Sequence, residues 1–413
     1  MIGKRVVVTG GAIISALGNE WPEILTNLKA GKNFVRRMDD WDRFSRMNTR
    51  LAAPVDFVMP DYPRKKVRSL GRIAQLALVS ADRALASSGI SADDPELKGG
   101  RCGIAYGSCM GSIDSLMDFY SMLILNDITK MDATTYIKAM PHTCAVNIEV
   151  FFGLTGRIIT TNTACTSGSH AIGSAYEAIK MGLQDIMLAG GAEELSPSSS
   201  AVFDTLFAAS CKNDTPDKTP SAYDKDRDGL VLGEGAGTLI LEEYEHAKKR
   251  GDKIYAEVIG FGINTDGSHM THPNRATMSG AMKLALEDSG ISPAVIGYVN
   301  THGTGTVAGD VTESWATADV FQACSRPVPV STLKNYIGHT LGACGAIEAW
   351  LSILMMKEKW FCPNINLAEL DPEVAPLDYI TGKGREIDTE YVMSNNSAFG
   401  GVNTSLIFRN FLE

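Results

Sequence analysis

No stretch of the 413 residues approaches the roughly 18 consecutive apolar side chains that a membrane span needs. An export signal is missing too. Met1 runs directly into KRVVVTGG, a strand and a turn, with neither an apolar h-region nor a small-residue cleavage site. The eight cysteines form no CxxC pair and are spread along a large chain. That excludes a disulfide framework or a zinc module and suits a reducing cytoplasm, where most of them act as small core hydrophobes. Positive charge is also short: the net charge of -10 sets nucleic acid aside as the main partner.

What is present is an ordinary globular composition, 44% hydrophobic and 21% charged, in a chain longer than a single core usually reaches. Two domains or a duplicated fold is the expectation. Apolar β-rich runs alternate with helical ones, so the class is α/β. The pattern predicts strands at KRVVVTG, RCGIAYG, GRIITTN, DIMLAGG, TLILEEY, YAEVIGFGI, IGYVNTHG, PVPVSTL and TSLIFRN. It predicts long helices over 68–88, 168–182, 276–289, 310–323 and 343–357.

The two halves echo each other. RCGIAYGSCMG resembles IGYVNTHGTGT, each a strand entering a Gly-rich loop, at an offset of about 193. IITTNTACTSGSHAIGSAYEAI echoes VPVSTLKNYIGHTLGACGAIEAWLSI, each a strand, a loop and a small-residue helix. Aligning His339 on Cys165 gives an offset of about 174. A duplicated fold brings loops from equivalent places in both halves to one site.

Several short motifs carry little chemistry. KRVVVTGGAIISALG begins like a dinucleotide-binding strand, but Ala12 stands where the fingerprint needs glycine and no acidic residue follows on a second strand. GSCMG fits the outline of a hydrolase elbow with Cys109 as nucleophile, a weak signal in a Gly-rich chain. Asp266, His269 and His272 in DGSHMTH form a notional metal set on a loop-like segment, where a plain polar loop is the favoured reading.

Cys165 is different, because it stands at the mouth of a helix among Ala164, Thr166, Ser167 and Gly168. Burial as a small hydrophobe is one reading. The other is a nucleophile whose thiolate the helix N-terminus favours. His302 opens a Gly/Thr loop after an apolar strand, and His339 precedes a helix of small residues with Lys334 five residues upstream. Lys334 and Glu348, if buried, must pair.

TACTSGSHAIG around Cys165, THGTGTVAGD around His302, KNYIGHTLGA around His339 and NSAFGGVN near the end together resemble the β-ketoacyl-[acyl-carrier-protein] synthases. The type II elongating enzymes are the nearest in pattern, and the likeness runs from VVVTG to SLIF. It implies a duplicated thiolase-like fold of five layers, α-β-α-β-α. Residues 1–252 would form an N-terminal half with the nucleophile and dimer-interface insertions, and residues 253–413 a C-terminal half with both histidines.

The resemblance further implies Cys165 as nucleophile, His302 and His339 as catalytic partners, and Lys334 and Glu348 as supporting groups. Substrate contacts fall to the gating Phe399, to Thr304 and Thr306 on the pantetheine arm, and to Met110 and Phe203. The basic run Arg64, Lys65, Lys66, Arg68 and Arg72, five charges in ten residues, is the docking candidate for an acidic acyl carrier protein. MDFYSMLIL (117–125) is assigned to the acyl pocket or the dimer interface. The expected assembly is a homodimer, with a heterodimer including a cysteine-less paralogue as the alternative. No metal or redox cofactor is needed for such turnover. His339 separates the chain from initiating and chalcone-type synthases, and Cys165 separates it from chain-length-factor subunits.

Each residue meets a chemical need. A thiolate parks the acyl group, and neutral imidazoles can donate N–H bonds to the enolate oxygen left by loss of CO2. Backbone N–H groups of Cys165 and Phe399 would serve the acyl-thioester oxygen. The chain departs from the family where Ser397-Ala398 replaces a phenylalanine and a glycine. That opens a specialised polyketide or polyene-type pathway as an alternative to fatty acid elongation. A cysteine thioester hydrolase is the alternative from another class.

Overall fold

The structure, a computed structural model, describes residues 3–411. Its centre is an eleven-stranded sheet. The strands are β1 (Val6–Ile14), β2 (Cys102–Gly107), β3 (Ile158–Thr161), β4 (Ile186–Glu193), β5 (Gly235–Glu243), β6 (Ala256–Thr265), β7 (Ile296–Asn300), β8 (Pro329–Ser331), β9 (Asp378–Tyr379), β10 (Tyr391–Ser397) and β11 (Val402–Asn410). They lie in the order β9-β8-β7-β10-β11-β6-β1-β5-β4-β2-β3.

The same pairing pattern occurs twice. β2 runs parallel to β3 and β4, β4 antiparallel to β5, and β5 antiparallel to β1. β7 likewise runs parallel to β8 and β10, β10 antiparallel to β11, and β11 antiparallel to β6. β1 and β6 join the copies antiparallel, from Val6↔Val258 to Val8↔Ala256. This is the duplicated fold.

Helices complete five layers. They are α1 (Arg72–Ser87), α2 (Ile113–Leu125), α3 (Thr143–Phe152), α4 (Ser167–Lys180), α5 (Pro197–Thr205), α6 (Arg275–Ser289), α7 (Val307–Phe321) and α8 (Cys344–Glu358). α4 and α8 fill the middle, packing Ile172, Ile179, Ile347 and Leu351 against Val8 and Leu239 of one half-sheet and Val258 and Leu406 of the other. α8 is buried on every side from Cys344 to Met356, as a helix with neighbours all round must be. α1 and α3 cover the outer face of the first half-sheet, and α6 and α7 that of the second.

All nine predicted strands are present. β10 was not predicted, because Ser394, Asn395 and Asn396 interrupt its apolar pattern although all three are buried. The helix predicted over 68–88 begins only at Arg72, with Arg64–Val67 forming a separate short turn of helix. The glycines of VVVTGG serve packing rather than a phosphate. A Cβ on Gly10 would fall 2.7 Å from Ala84 O, and one on Gly11 2.6 Å from the Trp350 ring. No helix among the described residues is long and apolar enough to cross a membrane.

Candidate active site

Four connections meet between the half-sheets: the loop after β2, the turn ahead of α4, the loop after β7 and the turn ahead of α8. The strand ends Gly107 and Asn300 keep the offset that equates Cys109 with His302. The second echo needs correcting. Ala164 (φ 50°) and Leu341 (φ 45°) mark the equivalent points of the two turns, so Cys165 corresponds to Gly342 and His339 to Asn162. Positive φ is costly for a residue with a Cβ, and its recurrence identifies the same turn in both copies.

The turns bring together residues far apart in sequence. One ligating atom each of Cys165, His302 and His339 lies within 4.8 Å of the others, and all three side chains are buried. The imidazole rings meet edge to face at 5.1 Å and 87°. They open onto a cavity of about 380 Å³ whose walls also include Thr304, Thr306, Phe203 and Phe399. Thr304 and Thr306 hold their hydroxyl oxygens 2.9 Å apart, and Phe203 from α5 packs on Phe399 at 5.3 Å. Met110 stands outside these walls and is 43% exposed.

Lys334 and Glu348 sit buried behind the histidines and form an ion pair. Glu348 also accepts from Asn396 Nδ2 at 2.7 Å and Asn300 Nδ2 at 3.3 Å. Burial opposes the ammonium, but Glu348, with Cys344 and Glu313, outweighs it and raises the Lys334 pKa. The cation in turn acts on the rings. Burial and then Lys334 hold His302 and His339 well below the ordinary imidazole range, so both are neutral.

Their tautomers follow from the partners. His339 Nδ1 accepts the Leu341 N–H at 3.2 Å, which puts its proton on Nε2. His302 Nδ1 lies 3.4 Å from the Asn396 amide nitrogen, with the same result. Two N–H donors are left for the cavity. Among the described residues this is the one group of three or more side chains close enough to share a metal ion. With both free nitrogens protonated it presents donors rather than lone pairs, and so fits an oxyanion.

Cys165 differs from the expectation that the helix end would favour its thiolate. Burial pushes the thiol up to about 12, against the pull of Lys334 and the backbone N–H groups of Phe399 and Cys165. Cys165 is therefore held as a thiol, with two backbone donors beside the sulfur.

Carboxylates absent from the sequence reading hold this geometry. Glu313 accepts the N–H of His302 at 2.6 Å and of Gly303 at 2.7 Å. Asp310 accepts those of Thr304 and Gly305, both at 3.1 Å. Burial lifts Glu313 to about 7 and Asp310 to about 6. Their spacing on the helix following the Gly/Thr loop was the available signal. Glu193, at the end of an otherwise apolar strand, accepts from Cys109 N–H at 2.8 Å and Gly342 N–H at 3.1 Å.

The remaining sequence candidates scatter. Arg64, Lys65, Lys66 and Arg68 are exposed. Arg72 leaves that set, since it pairs with buried Glu234 and donates to Val55 O. Cys109 lies outside the cavity wall and the group formed by Cys165 and the two histidines, and burial and then Glu193 raise its thiol pKa well above the ordinary value. His269 and His272 meet at 2.9 Å in the cavity wall, but Asp266 is committed to Thr277 and Asn403. The notional three-ligand set is therefore split. Residues 117–125 lie on α2 with most of their apolar side chains exposed, outside the cavity.

Residues 3–247 match the family described as Beta-ketoacyl synthase, N-terminal domain, and residues 255–368 its C-terminal domain. The chain belongs to the β-ketoacyl synthase family. It is 38% identical to the 3-oxoacyl-[acyl-carrier-protein] synthase 2 of Vibrio harveyi, an alignment covering 100% of both chains. A crystal structure of a β-ketoacyl synthase from Burkholderia phymatum STM815 superimposes with a TM-score of 0.97 at 56% identity, covering 99% of this chain and 100% of that one. A type II polyketide acyl-carrier protein in complex with its hexaketide-bound ketosynthase gives a TM-score of 0.88 at 30% identity, covering 99% and 100%.

Proposed function

We propose that the protein condenses an acyl group, held on Cys165, with malonyl-acyl-carrier protein to give a 3-oxoacyl-carrier product in fatty acid elongation. The observation that carries this reading is the convergence of Cys165, His302 and His339 within 4.8 Å at one cavity. In the first step the Cys165 sulfur forms a bond to the acyl carbonyl carbon. The carbonyl oxygen is held by the backbone N–H groups of Cys165 and Phe399, and the carrier's sulfur leaves with the thiol proton.

In the second step malonyl thioester loses CO2. The electron pair of the broken C–C bond becomes an enolate, whose oxygen is met by Nε2–H of His302 and His339. In the third the enolate carbon attacks the acyl-enzyme, a C–C bond forms as the C–S bond breaks, and the released Cys165 sulfur takes a proton from solvent water. Lys334, paired with Glu348, keeps the rings neutral, and Asn396 bridges Glu348 to His302. Thr304 and Thr306 take the pantetheine arm, while Phe203 and Phe399 close the cavity over the acyl chain. Met110 belongs to the acyl path beyond the cavity described above.

Arg64, Lys65, Lys66 and Arg68 dock the acidic carrier, and the polyketide carrier complex among the solved relatives supports a partner of that kind. Exposed Met117, Leu123, Ile124 and Leu125 on α2 support a homodimer formed through that apolar face. A cysteine-less paralogue on the same face is the alternative. The halves divide at residues 252 and 253, and the setting is cytoplasmic. Ser397 and Ala398 favour a second reading, a specialised type II pathway with unusual acyl chains.

The test is mass spectrometry of products formed from malonyl-carrier and a ladder of acyl-carriers. Extension by two carbons, lost in Cys165→Ala together with covalent acyl labelling, is expected. Free acid released without malonyl would establish a hydrolase instead. Labelling retained by Cys165→Ala would move the nucleophile elsewhere.

A further inference from the structure

We propose that Glu193 is a positioning residue for His339: its carboxylate holds the turn ahead of α8, and that turn fixes which ring nitrogen of His339 carries the proton. The inference rests on the reading of His339 as a donor to the enolate. Glu193 comes from β4 in the first half of the chain, whereas the turn belongs to the second. One oxygen, Oε2, accepts both Cys109 N–H at 2.8 Å and Gly342 N–H at 3.1 Å, and so ties two active-site loops to one atom.

The coupling to His339 passes through one residue. Leu341 has φ 45°, a conformation that persists only where neighbours impose it. In that conformation its N–H reaches His339 Nδ1 at 3.2 Å while the next N–H reaches Glu193. Glycine at 342 is required by the same contact, since a Cβ there would lie 3.0 Å from Glu193 Oε2 and 2.8 Å from Ser108 Cα. The His339 backbone is held separately, by N–H donation to Val231 O at 2.7 Å and acceptance from Gly233 N–H at 2.9 Å. Glu193 is thus placed to govern the ring's proton without carrying the residue's location.

A charged acceptor holds two N–H groups more firmly than a neutral one. Burial lifts Glu193 to about 7, against the donors from Cys109 and Gly342, with neighbouring Glu194 pushing the same way. Other titratable groups facing it are the thiols of Cys109, Cys144 and Cys165. Protonation of Glu193 on acidification then loosens the turn.

The experiment compares wild type with Glu193→Gln, using 15N-histidine spectra, malonyl-carrier decarboxylation from pH 6 to 8.5, and acyl loading of Cys165. Wild type is expected to show His339 as the Nε2–H tautomer at pH 8 and to lose decarboxylation as pH falls through about 7. Glu193→Gln is expected to show mixed or exchange-broadened His339 signals and a weaker limb, the remainder coming from Glu313 beneath His302. Its decarboxylation at pH 8 should fall about tenfold, the lower end for groups that orient an active-site ligand, with Cys165 loading unchanged. A wild-type tautomer and pH profile in Glu193→Gln overturns the proposal. If that variant does not fold, an unchanged wild-type His339 tautomer between pH 8 and 6 overturns it. His339→Ala decarboxylating at the wild-type rate would refute the reading of His339 itself, whatever Glu193 does.

Discussion

Gly168 and Gly345 face each other's helices across the centre of the molecule. A Cβ on Gly168 would fall 2.9 Å from Ala346 N, and one on Gly345 2.6 Å from Ser169 N. The contacts are reciprocal and keep the offset that relates Ala164 to Leu341. The two middle helices approach this closely because neither has a side chain at the crossing. Their first turns, and the residues ahead of them, therefore reach one cavity. Replacing either glycine by alanine would drive Cα-level separation and displace Cys165 from His339.

His302→Ala and His339→Ala should each slow malonyl decarboxylation by roughly 10²–10³, the usual loss for one oxyanion donor. Acylation of Cys165 uses the backbone donors and should suffer less. Release of labelled CO2 and covalent acyl labelling, measured on the same preparations, separate the two steps. Wild-type CO2 release in both variants would dismiss the paired donors.

Lys65→Glu with Arg68→Glu should lower kcat/KM for carrier-linked substrate about tenfold at low salt, at the modest end of electrostatic steering. The deficit should shrink as added salt shortens the screening length. Small thioester mimics should turn over as before. Equal use of carrier substrate by wild type and variant across a salt series would leave the run an ordinary solvated face.

Phe399 sits at the tip of the β10–β11 hairpin. Ala398 N–H donates to Val402 O at 2.9 Å, and Gly401 N–H to Ala398 O at 3.0 Å. Gly400 and Gly401 have φ 86° and 75°, so their freedom is used to make the turn, and the residue before Phe399 decides how far the ring can swing. Ser397→Phe with Ala398→Gly should shift selectivity towards ordinary saturated chains without altering short-chain loading. Relative kcat/KM over saturated and unsaturated acyl-carriers gives the answer; superimposable profiles would place selectivity elsewhere.

Glu313 should make the fold more stable in acid. Its carboxyl is lifted by burial from 4.5 to about 7, so the folded chain holds a proton that the unfolded chain has released. That contribution is complete below about pH 4.5 and is lost as pH rises towards 7. At 1.36 kcal/mol per unit it amounts to about 3 kcal/mol at most. Glu313→Gln should therefore gain in Tm relative to wild type between pH 5 and 8. A constant Tm difference over that range would contradict the buried, protonatable carboxyl.

The parts of this molecule readable from sequence are those whose signal is local. Apolar strands, small-residue helices, and the settings of Cys165, His302 and His339 all declare themselves within about ten residues. β10 did not, because a strand in the middle of a sheet buries Ser394, Asn395 and Asn396, with Ser394 accepting from Asn300 and Asn396 donating to Glu348. Asp310 and Glu313 offered only their three-residue spacing, and Glu193 no signal at all. The loop groups they hold are backbone N–H groups, which leave no mark in a side-chain pattern. Arg72 looked like its exposed neighbours because the residue that claims it, Glu234, is 162 positions away.

The loop from His302 to Gly305 is gripped by Asp310 and Glu313 through its main chain alone. Its shape at residue 302 is therefore held without the histidine side chain, while Gly303 (φ 35°) and Gly305 (φ 81°) supply the turn. Residue 302 behaves as an interchangeable fitting in a fixed mount, and a substitution there subtracts a functional group without reshaping the wall that bears it. Asparagine, glutamine or a non-natural imidazole analogue could be set into position 302 and its chemistry read directly against that of histidine.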